Sequence, residues 1–176
     1  MAIVVEDGTG LEDANSYASF AQFQAHFADR GGAASTTQAD VEKALVKATD
    51  YMGIRFRWRG YRLTAEQALD WPRACVYGQP SFDEPGGVVI EGVPVEVTKA
   101  CIEYANRALA GDLAPDPTVS ATGVAMVSTR RKVGPIETED VFSGGSASSS
   151  TFKPYPVADR LLRNLVWPEG GRVYRA

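Results

Sequence analysis

A single histidine, His26, and two cysteines, Cys75 and Cys101, are all the imidazole and thiol in the sequence. A Cys/His zinc centre draws four ligands from short paired spacings, and no such pairs occur. A serine or cysteine hydrolase needs a base beside its nucleophile, usually histidine, and His26 is the sole candidate. It falls on the flank of an apolar helical stripe, with no Gly-x-Ser-x-Gly or Cys-Gly signature in the chain. The sequence therefore reads it as a half-exposed surface side chain. Carboxylates cluster at Glu12-Asp13, Asp83-Glu84 and Glu137/Glu139/Asp140, residue types that a glycosidase or a hard-cation site also uses. Their polar, loop-like settings fit solvated surface better. Gly8-Thr9-Gly10 and Gly144-Gly145 lack the Lys-Ser/Thr and strand-to-helix setting of a phosphate loop. The expectation is a protein that is not an enzyme, with no catalytic residue, no metal ligand and no cofactor.

One stretch is both basic and aromatic, Arg55-Phe56-Arg57-Trp58-Arg59-Gly60-Tyr61-Arg62. A functional reading makes it a single-strand platform, with bases stacked on Phe56, Trp58 or Tyr61 and phosphates held by the arginines. A structural reading buries one set of side chains and turns Arg55, Arg57 and Arg59 to solvent or to a partner protein. Period-two alternation is what a half-buried strand shows in any case. The structural or interface reading is favoured, because the chain carries 18 Lys plus Arg against 22 Asp plus Glu, a net charge of −4. The C-terminal segment carries another signal. Val157, Leu161, Leu162, Leu165 and Val166 spread over about half a helical wheel, wider than an ordinary surface stripe. A helix of about ten residues is marginal alone in water and needs a surface to dock on.

The elements that position these residues follow from periodicity and caps. Ser19 with Gln22 is a capping box, followed by Phe20, Phe23 and Phe27 on one stripe and a stop at Gly31-Gly32. Thr37 with Asp40 opens a second helix whose apolar face is Val41, Ala44, Leu45, Ala48, Tyr51 and Met52, ending near Gly53. Thr64 to Gln67 predicts a short helix through Leu69, broken by Trp71-Pro72. Residues 78–94 read as a loop. Pro94 starts a long helix to about Ala110 with Val97, Ala100, Cys101, Tyr104 and Ala108 as its main stripe. Val95, Ile102 and Leu109 form a second apolar patch on that helix and are subunit-contact candidates.

The fold class expected is mainly α, a small helical bundle with a β-hairpin excursion and a C-terminal docking arm. Residues 1–142 are expected to form a helical domain with an N-terminal extended segment and a hairpin at about 119–142. Residues 143–151, SGGSASSST, are a flexible Gly/Ser connector, and 152–176 are the arm helix and tail. With 44% apolar residues, a chain of this size buries roughly 70% of its unfolded surface. Both cysteines then read as small buried hydrophobes rather than a bridge. No apolar run is long enough to span a membrane, and MAIVVEDGTG does not read as a signal peptide.

The order of several short motifs resembles a known family. EDGTGLEDANSYASFAQFQAHFADRG, VEKALVKATDYM, LDWPRACVYG, GVPVEVTKACIEYANRAL, KVGPIETEDVF and YPVADRLLRNLV together resemble tailed-bacteriophage head–tail connector (adaptor) proteins, a family also labelled DnaT-like single-stranded DNA-binding. The resemblance implies a structural virion protein of the phage neck, assembled in the host cytoplasm. It implies a homo-oligomeric ring, commonly of twelve subunits, joining the portal protein to a downstream neck or tail-terminator protein. Double-stranded DNA would pass through the channel without sequence readout, which an acidic chain permits. In that setting Val157, Leu161, Leu162, Leu165 and Trp167 form the partner-docking arm. Arg55, Phe56, Arg57, Trp58, Arg59 and Arg62 form a subunit or portal contact. The alternative is a single-stranded DNA-binding replication accessory using Arg55 to Arg59.

Overall fold

The computed structural model describes residues 2–28, 30, 36–115, 128–133, 136–141 and 153–168. Helix α1, Phe20–Ala28, opens on the expected capping box: the Ser19 N–H donates to Gln22 Oε1 at 2.7 Å and the Gln22 N–H to Ser19 Oγ at 3.2 Å. Helix α2, Gln38–Arg55, has Thr37 as N-cap, accepting from the Asp40 N–H. Its buried face is the expected one with Thr49 added, but the helix runs through Gly53 to Arg55. Helix α3, Val95–Ala108, follows Pro94 and buries Val97, Ala100, Cys101, Ile102, Tyr104 and Ala105. Packed between α2 and α3, Thr49 Oγ1 lies 3.4 Å from Cys101 Sγ. The fold is mainly helical with a small antiparallel hairpin.

Several local expectations change. The Thr64–Gln67 box forms, but no helix follows it. Gln67 is fully buried, and its Nε2 donates to the Leu69 and Pro72 carbonyls, so the amide side chain organises a turn. Strand β1, Tyr61–Arg62, pairs antiparallel with β2, Arg73–Ala74, and is all the strand that the 55–62 alternation yields. Cys101 is buried as expected, whereas Cys75 is exposed. Its φ of 59° turns the chain so that Val76 is the buried neighbour. His26 is more enclosed than a half-exposed side chain, with Nε2 2.9 Å from Glu103 Oε1 on α3.

The N-terminal segment is not a free arm. Val5 bridges to Ser16, and the buried Glu6 carboxylate accepts from the Gly8, Gly10 and Leu11 N–H groups at 2.9–3.0 Å. Gly8, at φ 99°, comes close to Gly92, where a Cβ would lie 3.1 Å from its Cα, so a side chain there is both strained and crowded.

The chain divides into two compact units, Met1–Leu113 with Pro154–Ala176, and Ala114–Lys153. The second holds β3, Ser128–Val133, and β4, Ile136–Val141, in antiparallel register from Ser128↔Val141 to Val133↔Ile136. Arg130 is set opposite Glu139 and Lys132 opposite Glu137. The first unit contains α4, Pro156–Leu162, so the C-terminal segment expected as a separate arm belongs to the helical unit itself. The 143–151 connector, the Gly31-Gly32 stop and the tail after 168 lie outside the described residues.

Candidate nucleic-acid interface

What fixes α4 is a polar hub at Asp159. Arg55, in the last turn of α2, donates from Nη2 to Asp159 Oδ2 at 2.9 Å. The Tyr104 hydroxyl donates to Asp159 Oδ1, and the Tyr155 N–H to Oδ2 at 3.0 Å. Burial and the bond to Asp159 both push the Tyr104 pKa upward, keeping its hydroxyl a donor. Around the hub, Tyr51, Tyr104 and Tyr155 meet with centroids 5.2–6.0 Å apart. Leu162 and Leu165 are buried beneath it and Leu161 half-buried. The docking surface that the wide apolar arc calls for is therefore the domain's own core. Only Val157 and Trp167 of the expected docking residues are exposed.

The chain after α2 is then zipped to the chain after α4. Trp58 and Val166 form an antiparallel bridge. The Arg59 N–H donates to the Leu165 carbonyl at 3.0 Å, and the Trp167 N–H to the Arg57 carbonyl at 2.8 Å. Trp58 itself is 5% exposed and packs edge-on against Trp71, so it is not a stacking surface. Arg55 is turned inward to Asp159, and Arg62 spends its guanidinium on the Gln67 and Leu69 carbonyls. These three are corrected from contact candidates to structural residues. Arg55 is held by Asp159, 104 positions away, and Arg62 by the turn that follows it.

Of the remainder, Arg57 and Tyr61 are exposed, while Phe56 and Arg59 are half-buried, the Arg59 Nε donating to the Val166 carbonyl at 3.2 Å. Two grooves, of about 510 and 710 Å³, meet at Phe56 and Trp167. Arg160 and Arg163 line the first, and Arg57 and Tyr61 the second. The Arg59 guanidinium lies 5.4 Å above the Trp167 ring. Tyr61 is 73% and Trp167 41% exposed. Among the described residues no carboxylate pairs with Arg57, Arg59, Arg160 or Arg163, and Asp159, which also lines the first groove, is neutralised by Arg55. The result is a locally cationic, aromatic surface on an acidic chain. Sequence reading missed Arg160 and Arg163, although their i, i+3 spacing on the polar side of the C-terminal helix was a usable signal.

The subunit-contact candidates separate. Val95 is exposed, Leu109 half-buried, and Ile102 is buried in the helical unit, so Ile102 is removed from that role. Among the described residues no group of three or more His, Cys, Asp or Glu side chains is placed to hold a metal ion. Nor is any helix among them long and apolar enough to cross a membrane.

The family model described as "Putative DnaT-like ssDNA binding protein" matches residues 1–176. The chain belongs to that family. The match carries the single-strand label of the resemblance, not the connector name, and so favours the alternative over the neck adaptor. No curated protein and no solved structure matches the chain.

Proposed function

We propose that the protein binds single-stranded DNA, without catalysis, on the face where the two grooves meet. The observation that carries this reading is the Trp58↔Val166 bridge, which gathers the exposed rings of Tyr61 and Trp167 and four arginines that pair with no carboxylate among the described residues. Bases stack on Tyr61 and Trp167, each stack worth about 1–3 kcal/mol, while Arg57, Arg59, Arg160 and Arg163 hold phosphates. Stacking accepts any base, so the binding is sequence-tolerant. Family membership supports the same ligand class.

The test is fluorescence anisotropy of a labelled single-stranded oligonucleotide against full-length protein. Four phosphate contacts give a salt slope of about −3, a loss of about 50-fold in affinity between 50 and 200 mM salt. Trp167→Ala is expected to weaken binding about tenfold or more with an unchanged melting temperature. An unchanged affinity in Trp167→Ala and in Arg160→Ala with Arg163→Ala would sink the reading.

A second reading, a ring-forming adaptor of a phage neck, is supported by the motif order and by Val95 and Val157, apolar residues left exposed on α3 and α4. Its test is recovery of the chain from purified virions.

A further inference from the structure

Among the cations and rings of the groove that holds Arg57 and Tyr61 stands one carboxylate, Asp70. Gly53 of α2 lies against it, where a Cβ would be 3.4 Å from Asp70 Oδ2. Its cationic neighbour is Arg73, with Nη1 3.7 Å from Asp70 Oδ1. That separation supplies opposite charge but no hydrogen bond. Each nitrogen of Arg73 is committed to a backbone carbonyl instead. Nε donates to Arg59 at 2.7 Å, Nη1 to Asp70 at 3.0 Å and Nη2 to Gly60 at 2.8 Å. The Asp70 carboxylate is therefore offset in charge, yet no group among the described residues donates a hydrogen bond to it. With its side chain 32% exposed, its oxygens remain open to a ligand.

An acceptor left unmatched in a phosphate-binding groove weakens binding, unless the ligand brings a donor to it. The arginines admit a ligand that is anionic overall, which disfavours a cationic amine as the partner of Asp70. Tyr61 and Trp167, on the same groove, offer that ligand exposed ring faces. Neutral N–H groups on a flat ring, carried by an anionic chain, describe the edge of a nucleobase. The four bases differ there. Guanine presents two parallel donors, N1–H and N2–H, which match the two carboxylate oxygens. Cytosine and adenine each present one amino group. Thymine presents a single N3–H flanked by two carbonyls, which a carboxylate repels.

We propose that Asp70 reads one base of the bound strand at its Watson–Crick edge and favours guanine over thymine. The inference rests on the single-strand reading above and adds a base preference to it. Stacking still accepts every base, so binding stays tolerant but becomes graded.

Anisotropy competition with the full-length protein tests it. The strands are of equal length: thymine alone, or thymine with guanine, inosine or adenine at every third position. Inosine keeps N1–H and lacks the N2 amino group, while adenine controls for the stronger stacking of a purine. The guanine strand is expected to bind at least about fivefold tighter than thymine, the low end for a bidentate base contact, because Asp70 is partly in solvent. Inosine and adenine should lose most of that gain. Asp70→Asn keeps the shape and removes the charge, and should bring guanine to within about twofold of thymine. Its fold is checked by a melting curve, and the inosine comparison uses wild type alone. Equal wild-type affinity for guanine and thymine, inosine as tight as guanine, or a folded Asp70→Asn that keeps the preference would each overturn the base preference. All three leave the DNA face standing. Binding to none of the strands would instead overturn the single-strand reading, and this inference with it.

Discussion

Helix α4 and the 76–90 loop are two short segments rich in apolar residues, and they end in opposite places. Seven-residue α4 buries Ala158 and Leu162, whereas the loop leaves Tyr77, Phe82, Val88 and Val89 in solvent. Hydrophobicity does not separate them. The difference lies in their polar groups. Asp159 on α4 accepts from two other elements, Arg55 of α2 and the Tyr104 hydroxyl of α3, and from the N–H of Tyr155, the helix's own N-cap; the first two fix its position over the core. The loop makes several of its backbone hydrogen bonds internally, through the 76–78/88–90 stem and the Glu84 carbonyl, and only Val76 of its large apolar residues is buried. A helix too short to be stable alone is captured by a polar anchor. A loop held by its own hydrogen bonds leaves its other apolar side chains in solvent.

The severest way to break this contrast is to remove one side of it. Cutting the chain after Ser150 deletes Tyr155, Leu162 and Leu165, each of which contributes roughly 1.5–3 kcal/mol by burial. Their sum rivals the 5–15 kcal/mol stability of a whole domain. The truncated protein is expected to show no cooperative thermal transition by circular dichroism. A near-normal melting temperature would restore α4 to the status of a detachable arm.

A smaller and more local change is Asp159→Ala. It leaves the Arg55 guanidinium, whose side chain is 8% exposed, without its carboxylate, and strands the Tyr104 hydroxyl. The expected loss is about 3 kcal/mol, a fall in melting temperature on the order of 10 °C. If the loss is within 0.5 kcal/mol of zero, roughly the spread of surface substitutions, the hub does not hold α4.

Much of the helical framework was legible in local sequence. The capping box at Ser19, the Thr37 cap and the buried faces of α2 and α3 depend on neighbours within one or two turns. The site was only half legible. The alternation at 55–62 marked the right neighbourhood, yet Arg55 is drawn inward by Asp159 and Arg59 is held by the Val166 carbonyl, each more than 100 positions away. Likewise the width of the C-terminal apolar arc correctly demands a surface, but no wheel identifies whose surface it is. Cys75 was misread because burial follows from a backbone φ of 59°, which composition does not encode.

A pH experiment sharpens the comparison by probing a second, weaker polar anchor, between α1 and α3. Burial of Glu103 works against its charged form, but bonds to Arg107 and His26 outweigh this and hold its pKa below the ordinary carboxylate value. A group depressed on folding stabilises above the ordinary carboxylate range, and that stability is lost as pH falls through the folded value. Glu103→Gln is therefore expected to cost about 1 kcal/mol near neutrality, with the gap to wild type closing in acid. A gap that widens in acid would contradict the sign.

The smallest expected effect is the most diagnostic. Phe82→Ser removes the largest apolar side chain of the 76–90 loop, while Leu162→Ala removes a smaller one from α4. If burial decides, the order of damage is the reverse of the order of size. Phe82 surrenders no protein contact area worth counting at 99% exposure, so the monomer should change by less than about 0.5 kcal/mol. Leu162, fully buried, should cost about 2–5 kcal/mol because the transfer loss is joined by a cavity. Urea melts at a protein concentration low enough to keep the chain monomeric separate the folding effect from any association, since only the latter depends on concentration. A large loss for Phe82→Ser under those conditions would mean the ring is covered in the folded monomer. The loop and α4 would then be two versions of the same inward packing rather than opposites.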